Sequence, residues 1–141
     1  MDQAIAAADR HVSAFNRHDL AAHSANESAD IQWTQPGVSI EGPAAVAALQ
    51  QALWTALPDA RIEVVARVAN GDTVMSEEVL VGTQTGPFAT PAGTLPASGR
   101  SVRMGFVTVQ QVREGKIAAE RIYFDQLEFL GQLGITPGAN A

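Results

Sequence analysis

Apolar residues recur at helical spacing in the first third of the chain. Within residues 2–17 they lie three or four positions apart, as on one face of an amphipathic helix: Ile5, Ala8, Val12 and Phe15. Asp19 is placed to cap a second, short helix over the sequence LAAHSA. A third helix is indicated from Pro43, because proline is favoured at the first helical position, and Pro58 ends it.

The second half of the chain alternates apolar and polar residues, which is typical of strands. Asn70-Gly71 and Glu114-Gly115 each predict a turn between two long strands. Two shorter strands are predicted earlier, on either side of the turn at residues 36–37. Helices followed by an antiparallel meander predict an α+β fold, with the helices on one face of a curved sheet.

Residues 82–100 form a long segment between two of these strands and are rich in Gly, Pro, Thr and Ser. Loops of this length are uncommon in compact domains unless they are functional or mobile. Two interpretations stay open. The segment is either a lid over the mouth of a cavity or a floppy extension of a hairpin.

The composition narrows the class of protein. The 141 residues, 46% hydrophobic and 17% charged, suit one globular domain, which we place at residues 1–135, with a disordered tail over 136–141. The net charge of −6 and the lack of any Lys/Arg run argue against a nucleic-acid or anionic-membrane partner. The sequence has neither a signal peptide nor a run of about 18 apolar residues, so we expect a cytoplasmic protein.

Thiol and metal chemistry are not expected. The chain has no Cys, and its three His lie in the first helical region without a metal-binding pattern such as HExxH. Another ionisable group is better placed, since Asp125 follows a predicted strand beside Tyr123 and Phe124. Asp125 is also the expected N-cap of a short helix, because Glu128 three residues later completes a capping box.

Several segments, in order and at matching separations, resemble the SnoaL-like branch of the nuclear-transport-factor-2-like superfamily. They are FNRHDL, ADIQWTQPG, LPDARIEV, GTQTGPF, GKIAAERIYFD and FLGQLG, and the resemblance covers residues 3–135. The superfamily also includes limonene-epoxide hydrolase and ketosteroid isomerase. The resemblance implies a cone-shaped α+β barrel around a deep apolar cavity, where a few buried polar groups act without metal or organic cofactor.

The resemblance also implies site residues. It matches Asp125 to an acid/base at the end of the last strand, with Tyr123 and Glu78 as further catalytic candidates, and it places these three with Arg121 and Thr108 on the inner face of the sheet. A carboxylate beside aromatic rings in an apolar cavity would have a raised pKa and could act as a base near neutral pH. The residues expected to bind the substrate are Trp33, Gln35, Arg121, Phe106, Thr108 and His11.

Two relatives fit less well. The epoxide hydrolases carry Arg-x-Asp on the middle strand, where this chain has Glu78 and Leu80, so their triad is broken. The base of ketosteroid isomerase would fall near Gln35, and an amide cannot take up the proton.

We therefore expect a cyclase or isomerase that acts on a small, apolar, polyketide-type carbonyl compound, with Asp125 as the acid/base. One alternative is an epoxide hydrolase with a Glu78/Asp125 carboxylate pair. Another is a non-catalytic module for ligand binding or dimerisation. Apolar residues on both faces of the long strands also favour a homodimer formed through the outer face of the sheet.

Overall fold

The computed structural model describes residues 2–90 and 92–135, and the predicted tail over 136–141 lies outside this part of the chain. The helices found there are α1 (Asp2–Asn16), α2 (Leu20–Ala25), α3 (Pro43–Ala56) and α4 (Gln126–Gln132). The strands are β1 (Glu27–Gln35), β2 (Val38–Glu41), β3 (Arg61–Asn70), β4 (Thr73–Thr83), β5 (Phe88–Thr90), β6 (Gly93–Leu95), β7 (Ser101–Arg113) and β8 (Lys116–Tyr123).

Six strands form one sheet in the order β2-β1-β8-β7-β4-β3, and β5 and β6 form a separate hairpin. All neighbours in the large sheet are antiparallel except β1 and β8, which pair in parallel. The first and third helices pack against the sheet, and α4 lies against β7. The α+β prediction is confirmed.

The pairing of β7 with β8 contains a one-residue bulge. The pair Val112↔Ile117 is followed by Gln111↔Ala119, so that Ala118 is an extra residue on β8. Because successive side chains of a strand point to opposite faces, one extra residue exchanges the inner and outer faces of the rest of the strand. The burial pattern agrees, since Ile117 and Glu120, three residues apart, are both buried.

The core has two parts on the inner face of the sheet. One is built around Phe15, Trp54 and Leu80, and the other around Ile31 and Val74. Helices α1 and α3 contribute to both parts, as expected from the apolar spacing of their sequences. The two parts flank the candidate site described below.

The segment over residues 82–100 contains an ordered hairpin, β5–β6, and is anchored at its base. The buried side chain of Gln84 donates to the carbonyl oxygens of Gly86 and Pro96 and accepts a hydrogen bond from Ser98 Oγ. Gly86 is required here because a Cβ atom would lie 2.0 Å from the carbonyl oxygen of Thr55. These contacts hold the hairpin against the end of α3.

The outer face of the sheet exposes several large apolar side chains. Val65 and Val68 on β3 are 58% and 67% exposed, and Met75, Val107 and Tyr123 extend the same surface across β4, β7 and β8. None of the helices in the described residues is long and apolar enough to cross a membrane.

Candidate functional site

A cavity of about 130 Å³ lies between the helices and the inner face of the sheet. Apolar side chains, many of them aromatic, make up most of its lining. All five phenylalanines of the chain contribute, together with Trp33: Phe15, Phe88, Phe106, Phe124 and Phe129. The Phe129 ring meets those of Phe88 and Phe124 edge to face, so that β5, β8 and α4 together close one side of the cavity.

The polar groups of the lining are few: His11, Gln35, Gln50 and Glu120. Trp33 Nε1 donates to Gln35 Oε1 over 3.0 Å. This bond occupies the amide oxygen and leaves the NH₂ group of Gln35 as a donor for a ligand oxygen. The described lining residues include no Lys or Arg.

Glu120 is the acid of the cavity. Its residue is 1% exposed, Oε1 accepts a hydrogen bond of 2.7 Å from Gln110 Nε2, and Oε2 lies 3.5 Å from His11 Nε2. Burial raises the pKa of Glu120 to about 7, against the opposing effect of the Gln110 hydrogen bond. Near neutral pH this carboxyl group therefore exists in both protonation states.

His11, on α1, is neutral in this environment. Burial, with a smaller contribution from the charge of Arg67, lowers the pKa of His11 to about 4. A neutral imidazole beside Glu120 can donate a hydrogen bond to the carboxylate or accept one from the carboxylic acid, depending on its tautomer. The pair is therefore uncharged when Glu120 is protonated and carries one negative charge when Glu120 is ionised.

Four residues that the sequence assigned to substrate binding line the cavity: His11, Trp33, Gln35 and Phe106. The predicted inner face is also correct on β4 and β7, where Glu78 and Thr108 are buried. Neither of these two side chains belongs to the cavity lining, however.

Glu78 is held instead by Arg67, whose Nη2 lies 3.6 Å from Glu78 Oε2. Burial, and then the charge of Glu120, raises the pKa of Glu78 to about 7, while the guanidinium group of Arg67 opposes the shift. Arg67 also donates to Ser76 Oγ and pairs with Asp9. Glu78 thus belongs to an ion-pair network that leads away from the cavity.

The inward orientation predicted for Arg121, Tyr123 and Asp125 is wrong. Along β8 and the residue after it, the even-numbered Glu120, Ile122 and Phe124 line the cavity, whereas Tyr123 is 56% exposed. The bulge at Ala118 is the physical reason. Without it the register that begins at Arg113↔Lys116 would place Thr108 opposite Arg121, but the observed partner of Thr108 is Ile122.

Asp125 is exposed and caps α4. Its Oδ1 accepts hydrogen bonds from the backbone N–H groups of Leu127 and Glu128, at 2.9 and 3.2 Å. The N-cap predicted from the sequence is therefore present. The carboxylate pair of Glu78 with Asp125 is not formed, because one residue is buried on β4 and the other lies on the surface.

Glu120 was missed by the sequence reasoning. The sequence does contain an indication of it, because Glu120 alternates in phase with Ile122 and Phe124, as an acid on an apolar face would. Within residues 2–90 and 92–135, no three His, Asp or Glu side chains are arranged to hold a metal ion.

Comparisons with known proteins agree on the fold. A model of the SnoaL-like polyketide cyclase family matches residues 5–133, and no curated protein matches the chain. A Jannaschia sp. CCS1 protein, described as a SnoaL-like polyketide cyclase, superposes with a TM-score of 0.84 at 21% identity, covering 96% of this chain and 94% of that one.

Two further structures represent the other branches of the superfamily. An LEH-like epoxide hydrolase from M. tuberculosis has a TM-score of 0.73 at 20% identity, with 94% and 90% of the two chains covered. A Catenulispora acidiphila protein with a ketosteroid isomerase-like fold, in complex with trimethylamine, has a TM-score of 0.76 at 16% identity, with 92% and 93% covered. At these identities the similarity shows the shared NTF2-like fold.

Proposed function

The chain belongs to the SnoaL-like polyketide cyclase family, and from this premise we propose that it is an enzyme that performs acid/base chemistry on a small, uncharged carbonyl compound. The observation that carries the proposal is the buried Glu120–His11 pair on the lining of a largely apolar cavity. Glu120 takes the acid/base role that the sequence had assigned to Asp125.

The proposed reaction begins with the carboxylate form of Glu120. It removes a proton from the carbon next to the substrate carbonyl, and the electron pair of that C–H bond moves onto the carbonyl oxygen as an enolate. The NH₂ group of Gln35 donates to this oxygen, and the hydrogen bond from Gln110 Nε2 holds Glu120 in place, with His11 Nε2 beside it. A base whose pKa is about 7 is well matched to this step at neutral pH.

The second step returns the proton. In an isomerisation, Glu120 delivers it to a different carbon of the enolate. In an aldol cyclisation, the enolate carbon attacks a second carbonyl carbon of the same molecule, a C–C bond forms, and the resulting alkoxide takes the proton from Glu120. One carboxyl group is sufficient for either reaction, since Glu120 is again a carboxylate at the end of each cycle.

The size and charge of the cavity limit the substrate class. An engineered cavity of about 150 Å³ in another protein holds one benzene molecule, so a cavity of about 130 Å³ suits one ring or a chain of similar bulk. Because Glu120 acquires a negative charge and the described lining contains no cation, an anionic substrate is disfavoured. A single-ring or short-chain ketone fits both limits better than a multi-ring polyketide.

Epoxide hydrolysis by a carboxylate pair is less well supported. It would need a second acid on the cavity lining to activate water, and Glu78 lies off that lining beside Arg67. The epoxide hydrolase from M. tuberculosis therefore supports the shared fold without supporting the same chemistry for this chain.

An exchange assay tests the proposal without knowledge of the natural substrate. Cyclohexanone and acetophenone are incubated with the protein in D₂O at pD 7, and the loss of α-proton NMR signals is followed. We expect the wild type to accelerate exchange over buffer and Glu120→Gln to lower that acceleration about 10²–10⁴-fold, the usual contribution of a general base. Asp125→Asn is the matched control and should change it less than about twofold.

A non-catalytic binding module gives a different result. In that case both ketones perturb the tryptophan fluorescence on binding, yet exchange stays at the buffer rate for wild type and variants alike. Exchange that survives in Glu120→Gln but disappears in Asp125→Asn would return the acid/base role to Asp125.

We also propose that the chain forms a homodimer through the outer face of the sheet. The exposed apolar side chains on neighbouring strands, among them Val65, Val68 and Met75, support this interface, since large exposed apolar groups that lie together often mark a protein–protein contact. Sedimentation velocity should give a dimer for the wild type and a monomer for Val68→Lys. A monomeric wild type at micromolar concentration would contradict the proposed interface.

A further inference from the structure

A second pair of buried ionisable groups lies next to the Glu120–His11 pair, outside the cavity lining. His23, the fourth residue of α2, and Glu27, the first residue of β1, place Nδ1 and Oε2 3.5 Å apart. Both side chains are almost completely buried, and neither lines the cavity. The reaction proposed above uses neither of them.

The second pair is adjacent to the first. The rings of His23 and His11 have their centroids 4.8 Å apart, and His11 in turn contacts Glu120. The four groups therefore form a buried series in the order Glu27, His23, His11, Glu120. Trp33 lies beside both imidazoles, which limits the access of solvent to them.

The electrostatics of the series favours neutral groups. Burial, and then the charge of Glu120, raises the pKa of Glu27 to about 8. Burial and the neighbouring His11 lower the pKa of His23 to about 3, against a weaker opposing effect of Gln50. At neutral pH both groups of the pair are therefore uncharged: the imidazole of His23 is neutral and the carboxyl group of Glu27 is mostly protonated.

The cations around the series are engaged elsewhere. From α1, Arg10 donates to the side chain of Asn26 and to the carbonyl oxygen of Gly115. From β3, Arg67 contacts Asp9 and Glu78. Neither arginine forms an ion pair with Glu27, although a buried carboxylate usually has a cationic partner. Without such a partner the protonated, uncharged form of the carboxyl group is favoured.

On the basis of the role proposed for Glu120, we infer that His23 and Glu27 form a second pair of coupled titratable groups. Because the carboxyl group of Glu27 is neutral, it places no negative charge near Glu120. Glu120 can therefore ionise. The charge of Glu120 acts on both Glu27 and Glu78, so these three buried carboxyl groups cannot all ionise freely and their titrations are coupled. Glu27 contacts no substrate in this scheme. It is a positioning residue that sets the charge state of the catalytic one.

The coupling gives a test that needs no substrate. Infrared spectra of the whole chain in D₂O are recorded from pD 5 to 10, and the C=O stretch of protonated carboxyl groups is followed. We expect the wild type to retain such a band at pD 7, with a component that persists to about pH 8 and is absent in Glu27→Gln. Glu41→Gln, which removes an exposed acid on β2, is the matched control and should leave the band unchanged.

A second variant keeps the test decisive if Glu27→Gln does not fold. Glu120→Gln removes the charge that adds to burial in raising the pKa of Glu27, so the persistent component should titrate at lower pH than in the wild type. A band that is identical in wild type, Glu27→Gln and Glu120→Gln would overturn the inference, as would a wild type with no protonated carboxyl at pD 7. These spectra are independent of ketone exchange, so a protein that fails the exchange assay can still pass this one.

Discussion

Two carboxylates lie five residues apart at the end of β8, one buried in the cavity and the other exposed on the surface. Asp125 is exposed, and two backbone N–H groups at the start of α4 stabilise its charge. Glu120 is 1% exposed and has one amide and one neutral imidazole beside it. The difference shows that neighbouring aromatic residues in the sequence do not decide which acid is buried, because the face on which the side chain lies decides it.

The bulge at Ala118 decides which of the two acids enters the cavity. Before the bulge the odd-numbered Ile117 is buried, and after it the even-numbered Glu120 and Ile122 face inward. A single extra residue thus exchanges a catalytic candidate and a helix cap. A variant that lacks Ala118 tests whether this residue decides which of the two acids enters the cavity.

Deletion of Ala118 should have the largest effect. An uninterrupted register would turn Arg121, Tyr123 and Asp125 toward the core and expose Ile122 and Phe124. We expect the variant to remain unfolded or to lose at least ~4 kcal/mol in the free energy of unfolding, measured with urea and circular dichroism. Ala118→Gly keeps the bulge and should cost less than about 1 kcal/mol. A deletion variant as stable as Ala118→Gly would show that the bulge does not fix the faces of β8.

The architecture could be predicted from the sequence because it depends on repeated local patterns. The apolar spacing of α1 and α3 and the turns at Asn70-Gly71 and Glu114-Gly115 each agree with the observed elements. The inner faces of β4 and β7 follow from the same alternation. Asp125 as a helix cap also follows, since capping depends only on neighbours in the chain.

The position of the acid could not be predicted in the same way. Alternation gives two sets of residues on β8 but does not say which set faces inward, and the bulge reverses the answer in the middle of the strand. Glu27 and His23 are also brought beside Glu120 and His11 by the parallel pairing of β1 with β8. That contact joins residues about 90 positions apart in the chain, and no local sequence pattern predicts it.

Stability should depend on pH in a direction that distinguishes the two acids. Burial raises the folded-state pKa of Glu120 from 4.5 to about 7. A raised pKa means that the folded state binds the proton more tightly than the unfolded chain. The stabilising contribution is therefore complete below about pH 4.5 and is lost as the pH rises through 7. Asp125 has no such burial, and Asn is as good an N-cap as Asp.

The most direct test is urea unfolding of wild type, Glu120→Gln and Asp125→Asn at pH 5.5 and 8.5. We predict that the free energy of unfolding of Glu120→Gln, relative to that of wild type, rises by about 1–2 kcal/mol from pH 5.5 to pH 8.5. At the higher pH the wild type carries a buried charge on Glu120, whereas the variant carries none there. Asp125→Asn should stay within a few tenths of a kcal/mol of wild type at both values. If the pH-dependent gain appears in Asp125→Asn and not in Glu120→Gln, then Asp125 is the poorly solvated acid and the assignment of Glu120 is wrong.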